Sequence, residues 1–221
     1  MAEKARLSHK EAKAPDEFIT LTGHAFAWGQ KHQQTVIWGA IAAAVLIAAL
    51  GISTAYRAAQ RRDANADLAR ALNKMVGSDF AGATTDLTNV SERWAGTKVA
   101  PIATLMAANA ALRAGETDKA LSSLGAAQAA GTSLPPYLQQ QILLAWGAAL
   151  EAKQQWADAA AKYKEAAAIA GPYTGDAVVG EARATEQFGD AEKARTLYRQ
   201  AYEQFPDLPG RELIATKISA S

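Results

Sequence analysis

The sequence predicts an all-α protein in which one N-terminal transmembrane helix is followed by a right-handed solenoid of paired helices. Three observations predict it. The run Val36 to Ala55 is twenty residues long and carries no charge. The stretch after it, Arg57 to Lys74, is rich in strong helix formers and holds neither Gly nor Pro. Beyond that, a short pattern built on alanine recurs down the rest of the 221 residues.

The first of these sets the domain organisation. At about 1.5 Å per residue, a helix over Val36 to Ala55 covers the roughly 30 Å of a bilayer's hydrocarbon core. Closed by Tyr56, the span is read as residues 36–56, with an arm at 1–35 and a repeat domain at 57–221. A core helix of a soluble protein is the alternative, though such helices seldom run this far without a polar face. Some thirty-five mixed residues precede the apolar run, which is longer than the core of a secretory leader, so the span reads as an uncleaved anchor despite Ser53-Thr54-Ala55. In the arm, Phe18, Leu21, Ala25 and Phe26 recur at helical spacing behind a capping Asp16, predicting a short amphipathic helix. Trp28, Trp38 and Tyr56 suit the lipid interface. Gly39, Ala43, Ala44 and Ala48 place small residues four apart, a face on which another membrane helix can approach closely.

Charge near the span bears on orientation. Lys13 and Lys31 precede it, whereas Arg57, Arg61, Arg62, Arg70 and Lys74 follow. By the positive-inside rule alone, the large domain would stay in the cytoplasm, although long translocated domains often escape that rule.

In the repeat domain, Phe80-Ala-Gly-Ala83, Gly115-Glu-Thr-Asp-Lys-Ala120, Trp156-Ala-Asp-Ala159 and Gly189-Asp-Ala-Glu-Lys-Ala194 mark four copies. Their last alanines lie 37, 39 and 35 residues apart, close to the 34-residue period of tetratricopeptide repeats. An aromatic residue or Leu follows each alanine four positions later, at Leu87, Leu124, Tyr163 and Tyr198. A small residue stands twelve positions before it, at Ala71, Ala108, Gly147 and Ala182. The pattern has a physical reading: small residues let two helices of a hairpin approach, and the larger one fills the gap. Such hairpins cannot bury their apolar faces alone, so they stack into a TPR-like solenoid with a concave groove. Pro101, Pro135-Pro136 and Pro172 fall between or at the starts of helices, and Arg211 to Ile218 reads as a terminal cap.

Composition narrows the chemistry. Residues 57–221 hold 18 Lys and Arg against 18 Asp and Glu, a balance that argues against a nucleic-acid surface. There is no Cys, and His9, His24 and His32 all precede the span, which excludes thiolate catalysis, a Ser-His-Asp relay and a histidine metal site from the repeat domain. Asp158, Glu165, Glu181 and Glu186 read as solvated faces of helices. No glycine-rich phosphate loop is present, and neither catalysis nor a cofactor is expected. If first helices line the groove, Asn109, Arg113, Gln141, Glu151, Arg183, Glu186 and Gln187 are the exposed candidates for holding a peptide or helix by hydrogen bonds.

The order of parts adds a resemblance. Asp16-Glu17-Phe18 in a short arm, a single span, an alanine-rich exit helix and degenerate repeats resemble the YfgM-type ancillary subunits of the bacterial Sec translocon. Gly171-Pro172-Tyr173, Gly180-Glu181-Ala182, Gly189-Asp190 and the closing Leu213-Ile214 with Lys217-Ile218 are similar to that family's last segments. The resemblance implies an inner-membrane protein with its amino end in the cytoplasm and its repeats in the periplasm. Its implied partners are the translocon, a membrane-anchored periplasmic chaperone of the prolyl-isomerase class and secreted polypeptides. The alternative is a scaffold or assembly subunit of another bacterial inner-membrane complex.

Overall fold

The computed structural model describes residue 28 and residues 31–129 and 134–219. The amphipathic helix expected around Phe18 lies outside the described residues. Contacts divide the chain into two units, Met1–Ala59 and Gln60–Ser221. Among the described residues there is no strand.

Helix α1 runs Gln33–Val76. It contains the one described segment long and apolar enough to cross a membrane, with a mean hydropathy of 2.4 and no residue of that window buried. Within the first unit, Trp28 stacks on His32 with ring centroids 4.9 Å apart. Thr54 donates its hydroxyl proton to the Gly51 carbonyl at 2.9 Å, so this polar side chain is satisfied within the helix.

The second unit begins with the last turns of α1 and continues as α2 (Phe80–Arg93), α3 (Val99–Arg113), α4 (Thr117–Ala129), α5 (Pro136–Ala152), α6 (Trp156–Ala167), α7 (Thr174–Phe188), α8 (Ala191–Gln204) and α9 (Arg211–Ser219). Residues 60–76 pair with α2, α3 with α4, α5 with α6 and α7 with α8; α9 covers the end of the stack against α8. First helices of neighbouring hairpins also touch, α3 against α5 and α5 against α7.

One turn is used four times. In each, a residue five positions before the anchoring alanine has left-handed backbone: Ser78 (φ 62°), Gly115 (φ 76°), Gln154 (φ 59°) and Gly189 (φ 102°). Its N–H and the next one reach back to close the preceding helix. Gln154 N donates to the Glu151 carbonyl at 2.8 Å and Gln155 N to that of Leu150 at 2.9 Å, and the same pair of bonds recurs at 78–79, 115–116 and 189–190. Asp79 and Asp190 then cap the second helices, accepting from Gly82 N at 2.9 Å and Lys193 N at 3.1 Å.

Packing follows the small-residue pattern. Ala83, Ala120, Ala159 and Ala194 are buried, as are Ala71, Ala108 and Ala182 opposite them. At Gly147 the absence of a side chain is required, because a Cβ there would lie 2.6 Å from Cε1 of Tyr163. The same ring also sits against Gly180, whose Cβ would fall 2.7 Å from Cδ1. Tyr163 is thus wedged between the first helices of two successive hairpins.

Two polar side chains depart from the expected pattern. Gln140 is completely buried and ties down the chain between α6 and α7: its amide nitrogen donates to the Ile169 carbonyl at 2.8 Å, and its oxygen accepts from Tyr173 N at 3.2 Å. Glu181, read from the sequence as a solvated residue, is instead 7% exposed. It lies on the face of α7 turned towards its neighbours, where desolvation raises its carboxyl above the ordinary 4.5, with Lys193 and Lys164 opposing that rise.

Candidate interaction groove

First helices, the chain segments beside them and Tyr163 of α6 line two hollows in the second unit. One, of about 320 Å³, is lined by Leu105, Met106 and Asn109 of α3, Gln141, Leu144 and Ala145 of α5, and Tyr173. The other, of about 270 Å³, is lined by Leu144 again, Tyr163, Asp176, Val179, Gly180 and Arg183, with Leu208 and Pro209 from the segment before α9. Leu144 belongs to both, so the two hollows adjoin at α5, and together they make up a groove surface reaching from α3 to α7. The hollow between α3 and α5 exposes mainly apolar surface, the one at α7 polar and apolar surface in about equal measure.

These polar groups differ in what they are free to do. Gln141 donates to the Tyr173 hydroxyl at 2.6 Å. Arg183 makes a two-pronged bond to Glu151, with Nε and Nη2 each 3.0 Å from a carboxylate oxygen, and Nη2 also reaches the Tyr163 hydroxyl at 3.2 Å. Burial, reinforced by the Glu151 charge, pushes the Tyr163 phenol up to about 12, so it stays protonated at neutral pH. Asn109 and Asp176 have no hydrogen-bonding or charged partner among the described residues.

The remaining sequence candidates lie elsewhere. Glu186 accepts from Lys217 of α9 at 2.7 Å and from the Tyr198 hydroxyl of α8 at 3.1 Å, which ties the terminal cap to the stack. Burial beside this carboxylate raises the Tyr198 phenol as well. The Arg113 guanidinium rests 5.6 Å from the centre of the Phe80 ring, and Gln187 is exposed at the end of α7. Gly39, Ala43, Ala44 and Ala48 are exposed on α1, and a Cβ at Gly39 would meet nothing within 4 Å.

Sequence reasoning missed much of the groove's surface. Leu144 was within reach, since it lies one turn after Gln141 on the same face of α5. Tyr173, Leu208 and Pro209 come from between helices, where no periodicity assigns a face. Asp176 reads locally as a favourable acidic residue in the first turn of α7, which hides its position on the groove.

Comparison with solved structures places this architecture. The nearly identical TPR-like repeats of a putative kinesin light chain of Podosopora anserina align with a TM-score of 0.58 and 17% identity, covering 70% of this chain and 83% of that one. A single-substitution variant of those repeats aligns at 0.59 and 16%, covering 70% and 82%. The fold is a TPR-like solenoid. At this identity the likeness establishes the fold alone. No protein-family model matches the chain, and no curated protein matches it in sequence.

Proposed function

We propose that this protein is a non-enzymatic, membrane-anchored scaffold that holds polypeptide segments in the groove across α3, α5 and α7. The observation that carries the reading is the apolar surface about Leu105, Met106 and Leu144, adjoining a mixed polar and apolar hollow at Val179, Arg183 and Leu208, a surface suited to a chain with apolar side chains and polar backbone. The bare apolar window of α1 supports anchorage, since lipid would remove that surface from water. Gly39, Ala43, Ala44 and Ala48 give the span a face for another membrane helix.

The finer reading puts the repeats on the periplasmic side of a bacterial inner membrane, with the amino end in the cytoplasm. There the scaffold assists the Sec translocon and a membrane-anchored prolyl-isomerase chaperone in handling secreted polypeptides. Its support is the resemblance of the order of parts to the YfgM type. A second reading is a scaffold or assembly subunit of another inner-membrane complex, and the five cations from Arg57 to Lys74 favour it by holding the domain in the cytoplasm. Reporter fusions at Ser221 separate the two. Periplasmic reporter activity, with co-isolation of the translocon channel in mild detergent, is expected. A cytoplasmic signal removes the translocon reading.

A further inference from the structure

The groove can be assigned a charge preference, which rests on the reading above and sharpens it. Arg183 is the groove's one lining cation among the described residues, and its charge is matched at 3.0 Å by Glu151. Asp176 lines the same hollow with its carboxylate unpartnered among the described residues. The helix terminus accounts for an acidic residue in that turn, but it leaves the carboxylate's outer side open to whatever enters the hollow. The local balance of Asp176, Arg183 and Glu151 is therefore one net negative charge beside the apolar side chains of Leu144, Val179 and Leu208. An acidic ligand would meet repulsion there; a cationic one would find the carboxylate free.

We propose that the occupant of this groove is a polypeptide segment in which apolar residues adjoin a Lys or Arg, the apolar side chains seated about Leu144 and the cation paired with Asp176. Asn109, whose amide has no partner among the described residues, supplies hydrogen bonds to the segment's backbone at the other end. The pair is partly exposed, so its effect on affinity is modest and falls with added salt.

The test uses the full chain in lipid nanodiscs and a set of short fluorescent peptides with identical apolar residues and Lys, Gln or Glu at one central position. The Lys peptide is expected to bind about two- to fivefold more tightly than the Glu peptide, a difference of the size one exposed charge interaction produces. Asp176→Asn should abolish the discrimination between the Lys and Glu peptides, and Asp176→Glu should keep it. Thermal unfolding of each variant checks that the fold persists. Charge-blind binding, or a preference for Glu, overturns the inference and leaves the scaffold reading standing. Failure to bind any peptide overturns both, and so does a sedimentation experiment in which a second copy of the chain fills the groove.

Discussion

At the scale of single residues, two positions carry a cost that the fold tolerates. Gln154 holds a left-handed backbone at the turn where two of the other three repeats use glycine. Gln154→Gly should stabilise the repeat domain by about 0.5–1 kcal/mol, the relief of left-handed strain exceeding the flexibility gained by the unfolded chain. Denaturant titration checks this, and Gly115→Gln should move the opposite way. Glu181 is the second case. Its folded carboxyl titrates above its unfolded value, so its contribution is most favourable below the unfolded value and is lost as pH rises through the folded one. Glu181→Leu should stabilise the fold at neutral pH by about 1–2 kcal/mol, and the gain should shrink as the pH is lowered into the acid range. Thr185, one turn further on the same helix, has a buried hydroxyl oxygen with no partner among the described residues. Such residues mark where sequence reading stops. Gln140 and Gln141 are chemically identical neighbours, but a step of about 100° along α5 puts one in the core and the other on the groove.

At the scale of elements, the hairpins were legible because the requirement that forms them is steric and repeated. A second helix can pack closely only where small residues recur, and they do so at Ala71, Ala108, Gly147 and Ala182. The joints between hairpins were not legible, because each is made differently. Between the third and fourth, the joint is the Tyr163 ring lodged against Gly147 and Gly180, together with Gln140 holding the linker. Gly180→Ala should therefore destabilise the domain by about 1–3 kcal/mol through overpacking, despite alanine's higher helix propensity. Thermal unfolding measures it. Gly125→Ala provides the contrast, since its added methyl would lie 3.8 Å from Trp146, an ordinary contact. Within the first hairpin, Asp67 accepts from Trp94 Nε1 at 2.9 Å and Arg93 at 3.2 Å and so fastens α2 onto the last turns of α1.

At the scale of the whole molecule, the groove exists because first helices contact one another along the stack, α3 against α5 and α5 against α7. No single repeat contains it: its lining comes from three first helices, from Tyr163 of α6 and from the segments before α7 and α9. That is why the class of surface could be foreseen from the repeat pattern while its composition could not. The measurement that tests the central claim most directly is binding of an unfolded, apolar-rich polypeptide to the full chain in nanodiscs, with the groove selectively filled. Asn109→Trp places a large ring in the hollow between α3 and α5; Thr196→Trp places the same ring on the exposed side of α8. The account predicts that the first variant lowers affinity by about tenfold or more, the loss expected from blocking a central contact, with the second unchanged. Equal binding by both variants, or loss through Thr196→Trp alone, would contradict it.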